Sequence, residues 1–324
     1  MKELGGYLPL ELKKNNHYYN YDETKMIKCN TGLTALYCAI KQIEPSTVIL
    51  PYFICNTVID LVKKMDLPIT FYHIKSDFSP EDIKCPENSC IVLVNYFGLC
   101  RNVIMDIVNQ FSNVIIDNTQ AFFSEPVFEE GVYNIYSCRK FIGVADGAYL
   151  IGKHIDSIFL EEDMSYQRAD FLFKQYDCGI NGAYPDKQNN YKIICEQRRK
   201  MSTLTDVMLS SVDYDYIINR RISNFNTLDS LFGEENLLLF KCGRDNNVPY
   251  SYPLLLNKDI RQKLIERKIF VPTLWKDLIT NNMKNNYEYI YSKYICHLPI
   301  DQRYNDEDML YIFRTIKEIC ETGD

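Results

Sequence analysis

The sequence predicts an α/β protein with a mostly parallel central sheet, helices on both faces, and a smaller C-terminal α/β unit. Three observations predict it. Strand and helix patterns alternate through the first two-thirds of the chain. Cys90-Ile91-Val92-Leu93-Val94 and Val114-Ile115-Ile116 are unbroken apolar runs, as in parallel strands covered on both faces. A polar stretch at 176–190, with Gly179, Gly182, Pro185 and an Asn pair, reads as a loop between the alternating part and a long helical stretch.

Taken in order, Thr31 to Ile43 carries Leu33, Leu36, Tyr37, Ile40 and Ile43 at helical spacing. Thr47-Val48-Ile49-Leu50 is a short strand stopped by Pro51. Thr57 to Met65 predicts a helix, Ile69 to Ile74 a strand, and Val103 to Phe111 a helix. Tyr133 to Tyr136 and Gly147 to Ile151 complete the strand series. Beyond the polar stretch, Glu196 to Phe232 predicts one long helix. After Gly243-Arg244-Asp245-Asn246-Asn247, the segments Tyr252 to Leu256 and Ile269 to Val271 predict strands. Asp259 to Arg267 and Asp306 to Cys320 predict helices.

The 324 residues are 46% hydrophobic, enough for a sizeable core. A net charge of −7 and the lack of a basic stripe exclude a nucleic-acid binder. Among the 12 Cys no Cys-x-x-Cys pair occurs, and no His stands at metal-ligand spacing from a Cys, so no metal site is expected. Cys29, Cys38, Cys55, Cys90, Cys100 and Cys138 lie in apolar segments and read as reduced thiols of a cytoplasmic protein. The start Met1-Lys2-Glu3-Leu4-Gly5-Gly6 is no signal peptide, and no apolar run is long enough for a membrane span. The four His form no triad.

The chemistry is carried by two segments. Ile115-Ile116-Asp117 is an apolar strand ending in Asp. Ser137-Cys138-Arg139-Lys140 precedes the turn Gly143-Val144-Ala145-Asp146-Gly147. That combination suits pyridoxal phosphate. Lys140 forms the Schiff base, Asp117 keeps the ring nitrogen protonated, and the Ser137 hydroxyl reaches the phosphate. Both Asp117 and Ser137 fall at predicted carboxyl ends of strands, where open α/β sheets bind ligands. Cys29-Asn30-Thr31-Gly32-Leu33-Thr34 feeds a helix whose N-terminus is either a phosphate site or an ordinary cap by Asn30 or Thr31. Gln120 either bonds the ring oxygen or faces solvent. Arg139 either lowers the Lys140 pKa by like-charge repulsion or faces solvent. Tyr52 or Phe53 either stacks on the ring or packs in the core. Asn95, in Asn95-Tyr96-Phe97-Gly98, ends a strand and is expected to line the cleft.

Together these segments resemble the DegT/DnrJ/EryC1/StrS family of sugar aminotransferases. Thr31-Gly32-Leu33-Thr34-Ala35-Leu36 looks like the family's Ser-Gly-Thr-x-Ala-Leu phosphate turn, with Leu33 in place of its Thr. Pro51-Tyr52-Phe53, Asn95-Tyr96-Phe97-Gly98 and Asp117-x-x-Gln120 match its aromatic cluster, its His-x-Tyr-Gly and its Asp-x-x-Gln/His. Downstream, Lys200-Met201-Ser202, Arg221 with Asn224-Phe225, and Leu298 to Tyr304 also resemble it. The chain departs at the serine: the family's lies five residues before the lysine, where Ile135 stands here, whereas Ser137 lies three before.

The resemblance implies a fold-type-I transferase. Residues 1–200 would form a large cofactor-binding domain and 201–324 a small one, with the first stretch, 1–20, packing on the small domain. It implies an aminotransferase with covalent pyridoxal phosphate on Lys140. Gly32, Leu33, Thr34, Tyr52, Phe53, Asn95, Asp117, Gln120 and Ser137 would be its cofactor contacts. Its substrates would be an amino donor, glutamate, and a keto-sugar nucleotide of surface-polysaccharide synthesis. The active form would be a homodimer, with the 176–190 segment reaching the neighbour. Two alternatives stay open: a non-catalytic protein that keeps the fold, and a pyridoxal-phosphate enzyme acting on a non-sugar carbonyl compound.

Overall fold

The computed structural model describes residues 4–238, 247–280 and 286–321. The first strand, β1 (Met26–Cys29), leads into α1 (Gly32–Ile43). Next come β2 (Thr47–Pro51), α2 (Asn56–Lys64), β3 (Ile69–Tyr72), β4 (Ser89–Val94), α3 (Arg101–Ile107), β5 (Val114–Asn118), β6 (Val132–Ser137) and β7 (Ala148–Gly152). The seven strands form one sheet in the order β1-β7-β6-β5-β4-β2-β3. Strands β2 to β6 run parallel, while β7 is antiparallel to both β6 and β1.

Burial explains the choice of residues. Every residue of β4 and of β5 is buried, which only apolar side chains tolerate cheaply. Asp117 and Asn118 are the exceptions in β5, and they sit at the strand's carboxyl end, with Asp117 level with Val94 and Ile135. Helix α1 covers β6 and β7 through a stripe that includes Leu36 and Ile40, each about 1% exposed. Burying one such side chain is worth roughly 1.5–3 kcal/mol.

The rest of the chain comprises α4 (Asp170–Glu196), α5 (Thr203–Leu209), α6 (Tyr214–Phe232), β8 (Tyr252–Leu255), α7 (Arg261–Glu266), α8 (Asp277–Thr280), α9 (Tyr287–Tyr294), β9 (Ile295–Leu298) and α10 (Asp306–Glu321). Antiparallel β8 and β9 form a second sheet, with α6 packed on α10 and on β8. Asn224 of α6 donates its Nδ2 to the carbonyls of Ile300, Asp301 and Tyr304, which fixes the loop after β9. At the other end of the chain, buried Tyr19 donates its hydroxyl to Ser124 O, and Asn15 N donates to Ser210 O. No helix among the described residues is long and apolar enough to cross a membrane.

Three expectations change. The 176–190 stretch is not a loop but part of α4. Its helix breakers act at one point, Gly179, whose φ of 71° bends the helix, and the polar residues become anchors. Lys174 pairs with Asp186 across the bend at 2.6 Å, and Asn190 donates to Ala145 O at 2.7 Å. The single helix expected over 196–232 is two, α5 and α6, because Ser202 and Asp213 each accept a backbone N–H and start a new helix. Ile269 and Val271 are buried without strand pairing, and the partner of β8 is β9, which periodicity did not show. Strand β1, which the sequence reading did not single out, also joins the sheet, its apolar pattern interrupted by Lys28. Residues 243–246 of the expected turn lie outside the described residues.

Candidate active site

The carboxyl ends of β5 and β6 and the N-terminus of α1 meet at one place. An α-helix leaves its first N–H groups without partners in the helix. Here Thr31 Oγ1 takes the amide of Thr34 and Thr31 O that of Ala35, which leaves Gly32 and Leu33. A Cβ on Gly32 would stand 3.0 Å from Thr119 Cγ2 and 4.0 Å from Ser137 Cβ, so glycine leaves room for the Thr119 methyl beside the turn. Ser137 is buried at the end of β6, and its hydroxyl does not cap the turn Cys138–Lys140 that comes next.

That turn presents Lys140. Its Nζ donates to Thr119 Oγ1 at 3.0 Å, and Thr119 N donates to Asp117 Oδ1 at 2.8 Å. Thr119 therefore bridges the lysine and the carboxylate. Lys140 is solvent-exposed. Burial pushes its pKa below the ordinary lysine value. The Asp117 carboxylate and the Cys55 thiol oppose this, and Arg139 adds to it by repulsion. The net direction is downward, so Lys140 gives up its proton more readily than an unperturbed lysine.

Other expected residues go elsewhere. Thr34 turns its hydroxyl inward to Asn30 Oδ1 at 2.7 Å, so only the backbone at this turn faces a ligand. Gln120 is buried, and its Oε1 accepts from Phe97 N at 3.0 Å, steadying a residue held at φ 58°. Gln120 is therefore not solvent-facing. Asn95 does not line the cleft: it bonds Asn118, Ser124 and the amide of Cys100 inside the protein. Phe53 is a core residue, packed 4.2 Å from the Trp275 ring, which removes it as a stacking partner. The Tyr52 ring stacks on Phe71 and His73.

Sequence reasoning missed Thr119 and Cys55. Thr119 is one of the unread positions inside Asp117-x-x-Gln120, and only the fold carries Cys55 from the start of α2 to the lysine. Arg139, by contrast, turns out to be sheltered rather than solvent-facing, with its guanidinium 5.6 Å from the Tyr191 ring of α4. The downstream segments noted in the sequence hold the site from below. Ser202 donates to Asp146, Arg221 lies 4.6 Å from the Phe141 ring, and Gln302 Nε2 donates to Phe141 O at 2.9 Å.

No family model matches the chain, and no curated protein sequence matches it. Solved structures do. One is a putative sugar aminotransferase from Streptococcus pneumoniae in its pyridoxal-phosphate form, 16% identical, with a TM-score of 0.65 over 93% of this chain and 88% of that one. Another is a sugar aminotransferase from Micromonospora echinospora, 15% identical, with a TM-score of 0.63 over 90% and 87%. The chain has the fold of the sugar aminotransferases. A DegT DnrJ EryC1 StrS aminotransferase from Brucella abortus shares this fold at 15% identity, with a TM-score of 0.59 over 91% of this chain and 85% of that one. The fold-type-I architecture expected from the sequence is thus present: a mostly parallel seven-stranded sheet and a small C-terminal unit.

Proposed function

We propose that the chain is a pyridoxal-phosphate-dependent aminotransferase that moves an amino group from glutamate to a keto-sugar carried on a nucleotide. The observation that carries this reading is the chain Lys140–Thr119–Asp117, joined by two hydrogen bonds at the carboxyl edge of the sheet. The residues present fit the cofactor. The glycine at position 32 keeps open a cradle that a Cβ would narrow, and two helix amides and Ser137 border it. These would hold the phosphate, and Asp117 would hold the proton on the ring nitrogen. When bound, pyridoxal phosphate supplies an electron sink for charge at the carbon bearing the amino group.

Lys140 has two tasks: it anchors the cofactor as a Schiff base, and it holds and moves a proton at that carbon. Its lowered pKa favours both, because the neutral amine is the reactive form. The shared fold supports a sugar acceptor and a cytoplasmic role in surface-polysaccharide or related sugar synthesis. A second copy of the chain completes the enzyme. Phe173, Tyr176 and Tyr184 of α4 are 57%, 87% and 54% exposed, and a partner covering them explains so many bare aromatics on one helix.

The test is spectroscopic. Purified protein should carry a visible absorbance band that borohydride fixes to Lys140 and that glutamate discharges. A colourless protein that takes up no pyridoxal phosphate would remove the reading.

A further inference from the structure

Three cationic side chains from three different elements converge beside Lys140. Arg139 precedes it in the same turn. Lys187 lies on α4, four residues before the Tyr191 whose ring the Arg139 guanidinium approaches, and positions four apart share a helix face. Arg303 belongs to the loop after β9, which Gln302 fastens to the carbonyl of Phe141, the residue next to Lys140.

Two of the three lack a carboxylate partner among the described residues. Arg303 is paired with Asp301 through two hydrogen bonds of 2.7 and 2.8 Å. Among the described residues Arg139 and Lys187 make no ion pair with a carboxylate, and Arg139 Nε is buried without a hydrogen-bond partner. The Lys187 ammonium is pushed below its ordinary pKa by burial and then by repulsion from Arg139 and Arg303, with no carboxylate opposing. Lys187 and Arg303 are exposed and Arg139 is half-buried, and like charges gathered at one place disfavour one another until something of opposite charge binds there. With Asp301 included, the group carries two net positive charges.

We propose that Arg139, Lys187 and Arg303 form a recess for an oxyanion of the substrate, a carboxylate or a phosphate, held beside the carbon that Lys140 serves. This rests on the function proposed above and assigns the residues that would read the substrate's charge. Guanidinium groups suit such a task because their planar forks match carboxylate and phosphate oxygens.

The experiment is calorimetric titration of the cofactor-loaded full chain, in which the cradle at α1 is already filled, with inorganic pyrophosphate and separately with glutarate. Lys187→Gln and Arg303→Gln should each weaken a probe at least about tenfold, the loss of one charged hydrogen bond. Arg139→Lys, which keeps the charge and loses the fork, should weaken it too. A loss confined to pyrophosphate assigns the recess to a phosphate-bearing acceptor, and a loss confined to glutarate assigns it to the amino donor. If the loaded protein binds neither probe, or if Lys187→Gln and Arg303→Gln bind both as the parent does, the recess is refuted. Anion binding without any amino transfer would instead refute the aminotransferase and leave the recess standing.

Discussion

The Lys140 ammonium donates to the Thr119 hydroxyl at 3.0 Å, and the same threonine's backbone N–H is held by the Asp117 carboxylate. One residue thus sets the distance between the group proposed to anchor the cofactor and the group proposed to hold its ring proton. Thr119→Val keeps the shape and removes the hydroxyl. A hydrogen bond to a charged group is worth about 1.5–3 kcal/mol, so amino transfer should fall by at least about tenfold. Single-turnover kinetics with glutamate measures this, and an unchanged rate would show that Thr119 does not position the lysine.

Lys140→Ala should leave no borohydride-reducible adduct with pyridoxal phosphate. It should also change the stability of the cofactor-free protein in a pH-dependent way. The lysine's pKa is lowered in the folded state, so the unfolded chain binds more protons between the folded value and the ordinary value near 10.5. The native protein therefore carries a penalty at neutral pH that fades as pH rises through that window. Lys140→Ala lacks the penalty and should melt slightly higher than the parent at neutral pH, with the gap closing in alkali. Thermal melts at a series of pH values decide it; a gap that widens with pH contradicts the assigned shift.

Asp117→Asn retains an oxygen to accept from Thr119 N, so the fold and cofactor binding should survive. The amide cannot hold a ring proton, and turnover should drop by about 100-fold or more, in the range of general acid–base effects. Steady-state assays alongside cofactor titration test it, and near-normal turnover would take Asp117 out of that role.

Adding a methyl at position 32 should reach the cofactor without unfolding the chain. In Gly32→Ala the new Cβ meets the Thr119 methyl at 3.0 Å, and the neighbour must give by a few tenths of an ångström. Pyridoxal phosphate affinity should fall by about tenfold, the cost of one strained or lost hydrogen bond to phosphate. Equal affinity for Gly32→Ala and parent, by equilibrium dialysis, would show that the cradle lies elsewhere.

If a second copy covers α4, then Tyr176→Glu combined with Tyr184→Glu should convert a dimer into monomers. Sedimentation at assay concentration reads this directly. A parent protein that sediments as a fully active monomer counts against the dimer.

The sequence by itself determined most of the sheet and singled out Lys140 and Asp117. Buried parallel strands admit almost only apolar side chains, so the runs at 90–94 and 114–116 announced β4 and β5. The carboxylate at Asp117 stood out because a strand interior would not have tolerated it. The tertiary structure decided which neighbours act on them. Gln120, Asn95 and Phe53 have the right chemistry for a cleft, but hydrogen bonds and packing from distant segments turned them inward. Cys55 and Thr119 carried no signal of their own, and Cys55 gained its place only through long-range closure, whereas the repulsion of Lys140 by Arg139 was legible from their adjacency. Helix α4 shows the same limit: its Gly, Pro and Asn content spelled a loop. Only contacts such as Asn190 with Ala145 O, made across 45 residues, provide the tertiary interactions that outweigh weak helix propensity.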